Sequence, residues 1–314
     1  MTLSQILNAR DRIKPYAIQT PLIQIERLKD PLGFVPSLKL ENLQNMGAFK
    51  IRGAMNAALQ LSEADLRGGL MTASSGNHGR AVALAAKMLG VPATIVLPNT
   101  VSQLKRQAIE KLGARTILVE PQKRIPIGLA LAKEEGYHFI HPYDEEDVIA
   151  GQGTIGLEIL EQYPEVRTVF VPMGGGGLIS GISLAMKSLR PDVIVIGLEP
   201  AAVPKFSQNL MHDDPLPVAA HPSLADALMS NTPGRLPLHM VRQHVDRIIS
   251  VQEPYLKEAF RLLLEEGRIW AEPSSAIGLG AVLQEKMDPQ DLVNSVFVIS
   301  GGNISSRDAL AILK

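Results

Sequence analysis

The chain contains no cysteine, which excludes disulfides, thiolate-bound metals, iron–sulfur clusters and cysteine nucleophiles. Aromatic residues make up only 4% of it, so a core must be built mainly from aliphatic side chains. It also lacks a charge excess: 31 lysines and arginines stand against 32 acids, leaving a formal charge of −1. Non-specific nucleic-acid binding needs a basic surface, so no nucleic-acid partner is expected. No run approaches the ~20 uncharged apolar residues of a membrane span. The opening MTLSQILNARDRIKPY places charges where a signal peptide needs an apolar core. A cytoplasmic protein with no membrane partner is the expectation.

What is present is apolar material: 46% of 314 residues, enough for one large α/β unit or about two domains. Short aliphatic runs alternate with helix-period segments. Strands are expected at Ser37–Glu41, Gly69–Ala73, Ala93–Leu97, Arg115–Val119, Thr168–Val171, Val193–Leu198 and Ser295–Ile299. Helices are expected between them, as at Gly79–Leu89, Ser102–Leu112 and Leu178–Leu189. Near-continuous Val/Ile/Leu runs mark parallel strands covered on both faces, so the fold class is α/β with right-handed crossovers. The segment Pro200–Pro237, rich in Pro, His and Asp, breaks this rhythm. It reads either as a long surface excursion or as a loop framing a site.

Three loops are unlike packing sequence, and each follows an expected strand or opens an expected helix, where ligands collect in open α/β sheets. Gly174, Gly175, Gly176 and Gly177 lie between the run TVFVP and the helix LISGISLAMKSL. Bare N–H groups at a helix N-terminus suit a phosphate, although the loop matches neither the Walker pattern nor the dinucleotide fingerprint. Ser74, Ser75, Gly76, Asn77, His78 and Gly79 follow the run GLMTA. They offer hydroxyls, an amide, an imidazole and helix-start N–H groups to a carboxylate or a ring oxygen. The same residues would also serve as plain helix caps. In GAFKIRGA, Lys50 stands between Phe49 and small residues. A desolvated lysine has a lowered pKa and attacks carbonyls; a lysine snorkelling to solvent is the bland alternative. A phosphate cradle, an amine and polar groups for a ring together suggest a phosphorylated aldehyde cofactor, and pyridoxal phosphate meets all three needs.

With these motifs in order (GAFKIRGA, SSGNHG, HPYDEEDVIAGQGT, GGGGLISG, GLEP, AEPSSA and SGGN), nearly the whole chain resembles the fold-type II pyridoxal-phosphate enzymes, and among them the threonine/serine dehydratase and serine racemase group. The resemblance implies two open, mostly parallel sheet lobes with a cofactor cleft: a large domain of residues 1–44 plus 141–314 and a small one of 45–140. It is to the short form without a regulatory domain, and it implies a homodimer. Lys50 would hold the cofactor as a Schiff base, Phe49 would pack beside its ring, and Asn77 would bond the ring hydroxyl. Gly174 to Gly177 would hold the phosphate and Ser300 would face the pyridine nitrogen. Ser74, Ser75, Gly76 and His78 would receive the carboxylate of a small amino-acid substrate, with Ser75 opposite Lys50.

The implied activity is a dehydratase (ammonia-lyase) turning a small β-hydroxy amino acid such as L-threonine or L-serine into a 2-oxo acid and ammonia. Serine racemization, 3-hydroxyaspartate as substrate and β-replacement are the alternatives within this chemistry. A phosphate-binding protein without catalysis would leave Lys50 and Ser300 unexplained. Departures from the pattern are informative. Ala48 stands where serine is more frequent, and Tyr143 is an aromatic of the dehydratase kind. Arg124 aligns with a substrate-contacting arginine of the racemases, or is a solvated surface residue. Metal-binding relatives place an acid six residues after the position of Glu199, whereas this chain has Lys205 there. One acid and one ammonium do not attract a divalent cation, so no metal is expected.

Overall fold

The computed structural model describes residues 1–284 and 287–314. Its strands fall into two open sheets. One holds β1 (Leu22–Gln24), β2 (Ser37–Leu40), β7 (Thr168–Pro172), β8 (Ile194–Pro200), β9 (Arg247–Val251) and β10 (Ser295–Ile299), in the order β1-β2-β10-β7-β8-β9. The other holds β3 (Leu70–Ala73), β4 (Ala93–Pro98), β5 (Arg115–Val119) and β6 (His138–Phe139), in the order β5-β4-β3-β6. All neighbours are parallel except β1 and β2. The chain therefore builds the six-stranded sheet from both of its flanks and the four-stranded one from the stretch between.

Every strand expected from an aliphatic run forms, within two residues of its expected ends. Three were not expected. β1 and β6 are too short to show a period. In β9, exposed Arg247 and half-exposed Ile248 interrupt the apolar run. Coverage on both faces fails at β5, whose Arg115 and Leu118 are exposed because it is a sheet edge. Among the described residues no helix is long and apolar enough to cross a membrane.

Among the scarce aromatics, Phe170, Phe206, Phe260 and Phe297 are fully buried, whereas Trp270 is half exposed. Phe170 of β7 stacks on Phe297 of β10 at 4.5 Å between centroids and 6° between planes, in the middle of the larger sheet. The helix Glu146–Gln162 is buried on all sides from Val148 to Ile159, as a helix passing through a core must be. It is flanked by the helices Lys50–Ala58 and Gly177–Leu189, and both contacts run over glycine. A Cβ on Gly151 would stand 2.5 Å from the Arg52 carbonyl, and one on Gly181 would stand 2.5 Å from the Gly153 nitrogen.

Four charged side chains are buried beside this helix. Arg52 bonds Glu41 at 2.9 Å and Glu158 at 2.6 Å, and Lys39 bonds Glu158 at 2.5 Å. Burial of charge is tolerated only when partners and hydrogen bonds are complete. Here they tie the helix that begins at Lys50 to β2 and to the Glu146–Gln162 helix.

Candidate active site

The residues singled out in the sequence converge between the two sheets. Lys50 is the first residue of its helix, and Phe49 is fixed by an N–H donated to the Ser300 carbonyl at 3.1 Å. Ala48 bridges to Gly301. The Lys50 ammonium donates to the Pro142 carbonyl at 2.5 Å and lies 5.2 Å from the Phe49 ring centre. Lys50 keeps an opening to solvent, but protein atoms crowd its amine. That desolvation holds its pKa at about 8.

Pro142 leads directly to the glycine loop. The ring of the next residue, Tyr143, lies where a Cβ on Gly175 would fall, and the Tyr143 carbonyl would be 3.0 Å from a Cβ on Gly177. Gly176 has φ +100°, a left-handed conformation that glycine alone adopts without strain, and a Cβ there would meet the Phe206 ring at 2.5 Å. The loop must therefore be bare. Among the described residues the N–H groups of Gly174, Gly175 and Gly176 make no backbone hydrogen bond. They point, with the first turn of the Gly177–Leu189 helix, to an acceptor that the protein does not itself provide.

The serine loop closes the other side. Ser74, Ser75, Gly76 and Asn77 are half-buried, and a Cβ on Gly76 would meet nothing within 4 Å. The Asn77 amide donates to Glu272 at 2.9 Å and accepts from Asn303 at 2.7 Å. Burial, with Asp226 nearby, raises the Glu272 carboxyl to about 7. His78 is buried beneath the loop with Nε2 3.2 Å from the Ile140 carbonyl. Burial and the neighbouring Lys50 hold its pKa well below the ordinary value, so the ring is neutral at pH 7. Its buried Nδ1 has no partner among the described residues. The Ser300 hydroxyl is buried 3.1 Å from that of Ser275, with no carboxylate bonded to it.

Arg124 is neither free nor deep: its Nε donates to the Pro121 carbonyl at 2.8 Å, and its charge lies near Tyr143. The segment Pro200–Pro237 proves to frame the site. Gly234 donates to the Gly175 carbonyl at 3.0 Å, Pro237 packs against Gly176, and the Ser230 hydroxyl is 3.3 Å from that of Tyr143. Glu272, Ser275 and Asn303 received no role from the sequence, although the motifs AEPSSA and SGGN contain them; what they do is visible only once the three segments meet.

A buried amine of lowered pKa predicts a measurable pH effect. At pH 7 roughly one Lys50 in ten is neutral, against fewer than one in a thousand for an ordinary lysine. Attachment of an aldehyde to the ligand-free protein should therefore quicken about tenfold from pH 6 to 7 and level off above pH 8. Stopped-flow absorbance measures it; a rate still rising tenfold per unit above pH 9 would mean an ordinary lysine.

Comparisons with known proteins agree on one family. The model of a family described as pyridoxal-phosphate dependent enzyme matches residues 13–301. The chain is 41% identical over 306 residues to an L-threonine ammonia-lyase of Thermotoga maritima, covering 97% of this chain and 76% of that one. It is 38% identical over 310 residues to an L-threo-3-hydroxyaspartate ammonia-lyase of Saccharomyces cerevisiae, covering 98% and 94%. The structure of maize serine racemase superposes with a TM-score of 0.91 at 34% identity, over 99% of this chain and 96% of that one.

Proposed function

Because the chain belongs to the family of pyridoxal-phosphate dependent enzymes, in its fold-type II branch, we propose that it is an ammonia-lyase for a small β-hydroxy amino acid such as L-threonine or L-serine. The observation that carries this reading is the pairing of the Lys50 amine with the bare tetraglycine loop through Pro142 and Tyr143. The residues suit the cofactor. The unbonded N–H groups of the glycine loop would hold a phosphate, the desolvated Lys50 amine would join an aldehyde, and the neutral side chains of Asn77 and Ser300 would bond the polar groups of the ring. When bound, pyridoxal phosphate supplies an aldehyde that joins to amines and a ring that draws electrons from the bonds at the substrate Cα.

The protein does the rest. Ser74, Ser75 and the helix-start N–H groups receive the substrate carboxylate, which the positive end of the Asn77–Leu89 helix favours. The Lys50 amine, desolvated and partly neutral near pH 7, would be the base that takes the Cα proton of the bound substrate. Ser300 shares its hydroxyl with Ser275 and offers no negative charge to keep a proton on the ring nitrogen. With the Cα proton removed, the β-hydroxyl would leave as water, taking up a proton equivalent to the one Lys50 has just accepted. Water leaves Cβ and water is consumed when nitrogen departs, so the net change is amino acid to 2-oxo acid and ammonia. The cleft between a 45–140 domain and the rest of the chain excludes bulk solvent from this sequence of events. A homodimer in the cytoplasm completes the reading.

The open space at Gly76 and the likeness to a serine racemase favour one second activity, stereoinversion with Ser75 on the face opposite Lys50. Ser75→Ala should then lower formation of D-serine from L-serine by on the order of 10²-fold or more, and pyruvate release by less than tenfold. Equal losses would remove the division of labour. L-threonine, L-serine and L-threo-3-hydroxyaspartate, each assayed for 2-oxo acid release and for the opposite enantiomer, test the whole reading. No 2-oxo acid from any of them would overturn it.

A further inference from the structure

Lys205 has no part in the reaction proposed above, yet its whole side chain is buried against the glycine loop. Its ammonium donates to the Met173 carbonyl at 3.1 Å and to the Leu228 carbonyl at 3.0 Å. Met173 is the residue before Gly174. Leu228 follows Ala227, whose carbonyl would be 3.2 Å from a Cβ on Gly174. One ammonium thus grips both walls of the loop's first residue. The neighbouring Phe206 supports the loop's far side, its ring standing where a Cβ on Gly176 would go.

The compensating charge is Glu199, also fully buried. Its carboxylate accepts the N–H of Phe206 at 2.8 Å and of Ser207 at 3.1 Å, together with the Ser207 hydroxyl. It therefore anchors the same short turn, Lys205–Asn209, from which the lysine reaches across. A buried ammonium without a close ion pair is expensive to keep, and a methionine would fill the same space without desolvating a charge. What the ammonium answers directly is a pair of main-chain carbonyl oxygens, with the Glu199 carboxylate near enough to be felt but bonded instead to its own turn. That is a donor set suited to a hard cation. A lysine supplies the positive charge on a tether, where it cannot dissociate.

Resting on the reading of the glycine loop as a phosphate cradle, we propose that Lys205 is a positioning residue whose ammonium serves in place of a bound cation, clamping the Met173 and Leu228 carbonyls so that the loop keeps its shape. Cofactor retention is then independent of added metal and potassium ions. The protein itself provides what they would.

Cofactor affinity, titrated by visible absorbance, and the thermal midpoint of the cofactor-free chain test this. Lys205→Met should bind pyridoxal phosphate at least tenfold more weakly. Lys205→Ala should regain affinity with ammonium or methylammonium chloride, and not with sodium chloride at equal ionic strength. Wild type should keep its affinity and its midpoint with chelator, magnesium or potassium. Wild-type affinity in Lys205→Met, equal affinities of Lys205→Ala in amine and sodium salts, or a wild type that responds to chelator or magnesium would each overturn the proposal. The last needs no variant to fold. A wild type that never develops the cofactor band would overturn the reading of the site and the clamp with it; a normal band with any of the three failures overturns the clamp alone.

Discussion

Lys50→Ala is expected to abolish 2-oxo acid release from L-threonine, by on the order of 10³-fold or more, because in the proposed function one amine both holds the cofactor and takes the Cα proton. The visible absorbance of the purified protein should disappear with it. The fold should not: the lost hydrogen bond, to the Pro142 carbonyl, belongs to a desolvated amine, and its removal relieves a burial cost. The thermal midpoint of the cofactor-free variant should therefore equal or exceed that of the cofactor-free wild type. Activity above a tenth of wild type would assign the proton transfer to another group.

The largest stability effect is expected at Arg52, two residues further along the same helix. Arg52→Ala leaves Glu41 and Glu158 buried with an incomplete set of partners and should cost ~3–5 kcal/mol. For a chain of this size the unfolding midpoint should fall by roughly 5–8 °C. The sign of the pH effect follows from Glu41. Burial is the largest single influence and would raise its carboxyl, but Arg52, with help from Lys39 and Thr20, holds it below the ordinary value. A carboxyl lowered on folding contributes stability above its unfolded range, near pH 4, and loses it as the pH falls through the folded value. Wild type therefore loses this contribution in acid. The variant, whose Glu41 is easier to protonate, does not. The gap between the two midpoints should narrow as the pH is lowered from about 5 towards 3, and a gap that widens there would contradict the assignment.

How much of this could be read from the residue order differs by element. The aliphatic runs that become β3, β4, β7, β8 and β10 announce themselves, since strands covered on both faces need little else. β6 is two residues held by β3, and nothing in so short a run distinguishes it from a loop. At the site, Lys50 and the four glycines stand out locally because their chemistry is unusual for packing sequence. Their proximity is not local at all. It is made by Pro142 and Tyr143, remote from both in sequence and contributing a carbonyl and a ring face. Glu272, Ser275 and Asn303 are ordinary polar residues until segments far apart in the chain bring them together. The proline-rich stretch from residue 200 onward could be read two ways, and packing of Phe206 and Pro237 on Gly176 decides between them.

The glycine contacts on either side of the Glu146–Gln162 helix have a consequence for divergence within such a fold. The helix that begins at Lys50 and the helix that follows the glycine loop are gauged against a single rod, with main chain touching main chain at Gly151 and Gly181. A methyl group at either position would lengthen the span, so this interval tolerates less change than the loops around it. Residues beyond Pro200 that pack on the glycine loop, such as Phe206 and Pro237, can change without altering that interval.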